Sequence, residues 1–206
     1  MMKKINIIIL SLLTILPLRL WAASTFTNIT IINDHAIVAG VKSVEPGMEM
    51  QSHLLEVNAS TMSSRTIKLP RELESREIVG LLGDLKGFLV VVTQITRGGG
   101  DKPQVHRFDT SKNVWKKMGE VDCISFSKVA VTSAGLEFSC EQTDNEGKVS
   151  EVIKKVALQF NLKPSKFTLP VTKIAQESLK ASLEGEEFEW KRLKVIHGKK
   201  EKVFTP

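Results

Sequence analysis

The fifteen residues Val105–Gly119, VHRFDTSKNVWKKMG, decide how the rest of the chain is read. A polar–apolar alternation runs into the turn-forming series Asp109, Thr110, Ser111, Lys112, Asn113, and a core-type Trp115 follows. Alternation with period two marks a half-buried strand and a polar Asp/Ser/Asn run marks a turn, so the stretch predicts a β-hairpin. That hairpin either stands alone in an ordinary β domain or is one copy of a repeat.

Internal comparison favours the repeat. The segments NITIINDHAIVAG, IVGLLGDLKGFLVVV, KVAVTSAGLEFSC and SLKASLEGEEFEWKRL each read as strand, tight turn, strand, with the small turn residue at Ala36, Gly87, Gly135 and Gly185, spaced by 51, 48 and 50 residues. Each is followed, after a polar loop of varying length, by a related closing phrase: TIKLP (66–70), VWKKMG (114–119), KFTLP (166–170) and KVFTP (202–206). The fourth copy is shorter because its loop shrinks to the turn HGKK at His197–Lys200. The expected units are residues 26–70, 71–119, 120–170 and 171–206, each offering an apolar face: Ile37 with Val38; Phe88, Val90 and Val92; Leu136 and Phe138; Phe188 and Trp190. One such unit cannot cover its own apolar face, so neighbours must stack.

Within this scheme Phe108-Asp109, Asn113 and Trp115 follow the order of the outer hairpin of a kelch-type β-propeller blade: an aromatic-Asp strand end, a polar turn with Asn, then a Trp. Gly98-Gly99-Gly100 falls near where kelch blades carry paired glycines after their second strand. Residues 87–119 therefore resemble a kelch repeat, which implies a propeller-like scaffold used as an interaction module. The expected fold is all-β, four antiparallel repeats of 36–51 residues arranged like a propeller, with a two-sheet antiparallel β-sandwich as the alternative. One segment reads two ways: in VTKIAQESLKASLEG, Val171, Ala175, Leu179 and Leu183 share a helical face, while Leu179, Ala181 and Leu183 alternate as in a strand. The expectation is a strand from Ser178 with some helix before it.

The start of the chain addresses it for export. MMKK precedes the apolar run Ile5–Leu18 and the small residues of WAAS, the layout of a secretory signal peptide over residues 1–23, and the run is shorter than the roughly 20 residues of a membrane span. The expected product begins near residue 24 as a soluble periplasmic protein with no stable membrane anchor, an extracellular location being the alternative. Losing the leader lowers 29 basic residues to 26 against 23 acidic ones, a net charge of +3 that gives nucleic acid no concentrated basic face. About 180 residues suit a single domain with a real core.

Cys123 and Cys140 are the only cysteines. In an oxidising compartment an unrivalled pair most simply forms a disulfide, the alternative being two buried thiols. Zinc would want about four clustered ligands, and no His lies near either Cys in sequence. His35, His53, His106 and His197 are scattered, with HLLE and HRFD suggesting that His53 and His106 share one repeat position. No Ser sits in a GxSxG elbow or beside a His, and RGGGDKP lacks the GK[ST] of a phosphate loop. No metal or cofactor is expected, and no residue is singled out as catalytic. The basic end EWKRLKVIHGKKEKVFTP reads either as a hairpin whose lysines guard an edge or as a surface for an acidic partner.

These features favour a non-enzymatic binding module that holds a protein partner with rim loops; an inhibitor or immunity-type protein would fit the size and address. The candidate loops are Val41–Ser52, carrying Met48 and Met50, and Thr96–Gln104, carrying Arg97, Gly98, Gly99, Gly100, Asp101 and Lys102. The alternatives are a cell-wall or glycan hydrolase with carboxylates at a propeller channel and a module for sugars or small ligands.

Overall fold

The computed structural model describes residues 23–44, 50–83, 87–95, 101–123, 125–143, 146–157, 165–167, 170–185 and 191–206. Residues 1–22 of the expected leader, Met48, Arg97–Gly100, Phe188 and Trp190 lie outside the described residues.

Among the described residues sixteen strands form four four-stranded antiparallel sheets that follow the chain in order. The first holds β1 (Ala23–Ile32), β2 (Ala36–Val44), β3 (Met50–Asn58) and β4 (Ser63–Ile67). A short helix α1 (Arg71–Glu74) leads to the second: β5 (Glu77–Gly83), β6 (Phe88–Gln94), β7 (Gln104–Asp109) and β8 (Val114–Glu120). The third holds β9 (Ser125–Thr132), β10 (Gly135–Thr143), β11 (Val149–Ala157) and β12 (Ser165–Phe167), and the fourth β13 (Lys173–Gln176), β14 (Leu179–Glu184), β15 (Arg192–His197) and β16 (Lys200–Phe204). The protein is thus all-β, built of four antiparallel repeats in a propeller-like succession. Each joint between neighbours has the face-to-face packing of a sandwich.

Three cores order the sheets in space. One face of β2 (Ile37, Ala39, Val41) meets Leu179, Ala181, Leu193 and Val195 of the fourth sheet. The opposite face, with Val38, meets Leu81, Leu89 and Val91 of the second. Val90 and Val92 on the reverse of β6 meet Val131, Leu136 and Phe138 of the third. The stack therefore runs third, second, first, fourth, and among the described residues no apolar core joins the third sheet to the fourth. Sequence explains the positions. Strands buried on both faces must be apolar throughout, as in AIVAGV and FLVVV, whereas β10 (GLEFSCEQT) and β14 (LKASLE) alternate because one face meets solvent. Ile37 and Val38, expected on one apolar face, accordingly point to opposite neighbours.

A recurrent hydrogen bond fixes the repeat register. The residue after the third strand donates its N–H to the carbonyl just before the second strand: Ala59 to His35 (2.8 Å), Thr110 to Gly87 (3.2 Å) and Gly198 to Ser178 (2.9 Å). In the first two sheets the turn before the fourth strand is built alike. Asn58 Oδ1 accepts from the amides of Ser60 and Thr61, and Asp109 Oδ1 from those of Ser111 and Lys112. Each turn closes on a residue in the left-handed region, Met62 (φ 57°) or Asn113 (φ 56°). The first strand also repeats a bulge, at Thr27, Val79 and Ser127.

Three expectations need correction. The counterpart of Gly87 in the fourth sheet is Ser178, not Gly185, which lies one hairpin later, past β14. No helix precedes Ser178: Lys173–Gln176 is strand β13, paired with β14 through the two-residue turn Glu177-Ser178, where Glu177 has φ 29°. The helical spacing was an accident of strand periodicity, since Leu179 and Ala181 alternate with exposed Lys180. Finally, the start of the third closing phrase, Lys166-Phe167 in β12, lies on the other edge of its sheet. The order is β11-β10-β9-β12, a Greek-key return in place of the meander of the other three.

The candidate functional site: a charged rim on the second sheet

Where β5 begins and β6 ends, a buried arginine organises the edge of the second sheet. Arg76, only 5% exposed, follows α1, and its N–H is turned inward by a bond to the Leu73 carbonyl at 3.0 Å. Its Nε donates to Thr93 Oγ1 (3.1 Å), its Nη2 to the Lys102 carbonyl (2.9 Å), and its Nη1 forms an ion pair with Asp101. Burying a guanidinium is costly unless its donors are used, and here the carboxylate, carbonyl and hydroxyl take them up. The foot of the Thr96–Gln104 loop is therefore fastened to the core.

Beyond this anchor lies a belt of alternating charge. Lys102 Nζ reaches Asp122 Oδ1 at 2.8 Å, and Lys154 of β11 approaches the other oxygen at 3.8 Å. Lys117 pairs with Glu120 at 2.6 Å, and Gln104 Nε2 donates to the same carboxylate oxygen at 3.1 Å. The hydrogen bond from Lys102 holds Asp122 below its ordinary pKa, Lys117 does the same for Glu120, and Asp122 raises that of Lys102. These shifts hold Lys102, Asp122 and Glu120 in their charged forms at neutral pH. Beneath them His106, 4% exposed, meets Gln104 Oε1 at 3.2 Å. Burial, then the neighbouring Lys117 and Arg76, push its pKa down to about 4 against a small opposing pull from Glu72. His106 is consequently neutral at pH 7.

Of the residues singled out in the sequence, Asp101 and Lys102 stand in this rim, while Met50 opens β3 on the first sheet, away from it. The disulfide joins Cys123, just past β8, to Cys140 on β10 with a Cα separation of 5.8 Å, tying the second sheet to the third beside the rim. His53 and His106 both lie on third strands, but His53 faces Val41 and His106 faces Val91, so they are not one repeat position. At the basic end, Lys200 and Lys202 donate to the carbonyls of Ser60 and Met62 at 2.8 and 2.9 Å, stitching the fourth sheet to the first. Sequence reading missed Arg76. Its signal was a lone arginine between the helix-forming RELES and an apolar strand, a position that burial alone distinguishes from any surface charge. Among the described residues no group of three or more His, Cys, Asp or Glu side chains could hold a metal ion.

No family model matches the chain, and no curated protein matches it. Among solved structures it is similar to the uncomplexed acylaminoacyl peptidase of Pyrococcus horikoshii, at 10% identity and a TM-score of 0.40, over 87% of this chain and 32% of that one. It is also similar to the β-propeller domain of the Trilobed protease from Pyrococcus furiosus, described as having an open velcro topology. There the identity is 10%, the TM-score 0.35, and the match covers 90% of this chain and 58% of that one. The chain thus spans less than two thirds of either.

Proposed function

We propose that this is an exported, non-enzymatic protein-binding module of the periplasm, acting as an inhibitor or immunity-type protein, and that its partner docks on the rim of the second sheet. The observation that carries the reading is Arg76, whose buried guanidinium fixes Asp101 and the Lys102 backbone. Lys102, Asp122, Lys117 and Glu120 are in turn paired with one another at fixed places. A charged surface held in position before binding loses little entropy on docking, and its alternating signs select a partner with the complementary pattern. The leader pattern and the disulfide support the compartment.

The test is capture from periplasmic extract with the tagged chain lacking residues 1–23. A second bait carries Lys102→Glu with Asp122→Lys, which keeps the ion pair but inverts its polarity. One stoichiometric partner held by the first bait and lost by the second supports the reading. Equal retention on both, or no partner, contradicts it, as does accumulation of the full-length protein in the cytoplasm on fractionation.

A further inference from the structure

We infer that β11 is a pairing edge for a second copy of this chain, in an antiparallel register centred on Ile153. Among the described residues, in the order β11-β10-β9-β12, this strand has a neighbour on one side only. It is a nine-residue edge, longer than β4, β8 or β16, the outer edges of the other sheets. Its ladder with β10 runs unbroken from Val149 to Ala157, whereas the ladder of β8 is interrupted by a bulge. Proteins usually blunt such an edge with short strands or bulges, because a long regular one invites another strand. β11 instead exposes two aliphatic side chains, Val149 (61%) and Ile153 (50%).

The sequence of the strand says which partner fits. Along β11 the residues at odd positions, Val149, Glu151, Ile153 and Lys155, share the solvent face, and Val156 is buried on the other. When two copies meet about a two-fold axis through Ile153, that residue faces itself, Glu151 faces Lys155 of the second copy, and Lys155 faces its Glu151. Both charge pairs are opposite in sign and lie on the exposed face. Moving the axis one residue, to Val152 or Lys154, abolishes both pairs. Within the chain the residue opposite Glu151 is Glu141, a like-charge pair that disfavours the ladder, while Lys155 bonds Glu137 at 2.8 Å. A second copy brings a cation beside Glu151, and the self-complementary pattern is that of an isologous contact.

The test is sedimentation of the oxidised chain lacking residues 1–23 across a concentration series. The native chain shows a concentration-dependent dimer. Glu151→Lys and Lys155→Glu each weaken it about tenfold, since two cross-strand pairs turn from opposite to like charge. Mixing the two variants restores a one-to-one dimer, which neither could do if it had failed to fold. Ile153→Cys in the otherwise native chain cross-links to itself on oxidation, while Val149→Cys, whose opposite residue is Ala157, does not. A native chain that stays monomeric at every concentration overturns the inference. So does a dimer indifferent to the charge reversals, or equal cross-linking at 149 and 153.

Discussion

The side-chain carbonyl of Asn28 accepts a hydrogen bond at 3.2 Å from the backbone N–H of Val171, 143 residues further along the chain. The amide nitrogen of the same side chain donates to the Ile78 carbonyl at 2.9 Å, and the residue is 1% exposed. One buried carboxamide therefore joins the first sheet to the second and to the segment entering the fourth. Thr27 Oγ1 shares the Ile78 carbonyl at 3.1 Å, and the Ile29 N–H returns a bond to the Val171 carbonyl at 2.9 Å. The bulge at Thr27 is what presents both side chains to the joint.

Asn28→Ala strands the Val171 N–H and removes one of two donors from Ile78, at a cost of about 2 kcal/mol in urea unfolding with the disulfide intact. Asn28→Asp keeps the acceptor but sets an ionised oxygen against the Ile78 carbonyl. Its deficit relative to the native chain is larger at pH 7 than at pH 4, where protonation restores a donor. Equal deficits at both pH values would contradict this geometry.

At Gly83 the first and second sheets approach closely. Its N–H donates to Thr30 Oγ1 at 2.8 Å, and a Cβ there would lie 1.8 Å from the Ile31 carbonyl oxygen. Gly83→Ala must push the sheets apart and costs about 3 kcal/mol or more. Gly147→Ala, at φ +80° with nothing within 4 Å, costs about 1 kcal/mol through backbone conformation alone. Paired urea titrations measure the contrast.

Arg76→Lys keeps the charge and loses the fork that serves Thr93, Lys102 and Asp101 together. The expected loss is about 2 kcal/mol, reduced from that of a fully buried pair because Asp101 borders solvent. Hydrogen exchange at the Thr93 and Gln104 amides rises in the variant, reporting a loosened rim. Unchanged exchange would show that Arg76 does not hold the loop.

His106 gives stability a pH dependence of known sign. Its folded pKa of about 4 lies below the ordinary imidazole value of 6.5, so the unfolded chain binds a proton in that window and the folded chain does not. Stability from this residue is complete above pH 6.5 and is lost as the pH falls toward 4. The size is about 2 kcal/mol, less than the whole shift would give because exposed charges border the site. His106→Gln flattens most of the slope. A smaller part persists from His53, whose pKa burial also lowers.

Reduction of the Cys123–Cys140 bond releases a loop of 18 residues counted inclusively and costs about 3 kcal/mol on the chain-entropy model. Urea midpoints measured with and without reductant, with the double variant Cys123→Ala, Cys140→Ala as a thiol-free control, test it. Coincident midpoints would contradict it.

Strand content, the number of repeats and the disulfide were legible because each depends on local chemistry: alternation, turn residues and a single pair of thiols. Asp109, Asn113 and Trp115 identified the hairpin correctly, and the ring of Trp115 stacks on Phe108 at 4.5 Å. The order of the sheets was legible too, in the contrast between the continuous FLVVV of β6 and the alternating LEFSC of β10, but only to a reader asking which strands are covered twice. The phase of the fourth copy was hidden because Gly185 looks like a hairpin glycine. Its true counterpart, Ser178, is marked by a backbone bond to Gly198 that no side chain announces. Arg76 and Asn28 were invisible for a similar reason. Their importance comes from burial between sheets distant in sequence.

The central claim is that the first sheet lies inside the stack, with the second on one face and the fourth on the other. Its most direct test is an NMR measurement of scalar coupling across the hydrogen bond from the Ile29 N–H to the Val171 carbonyl, with exchange rates for the Ile29 and Val171 amides. The structure predicts a resolved coupling and strong protection of both amides, lost together in Asn28→Ala. Absence of the coupling, with both amides exchanging as in an unfolded chain, would contradict it.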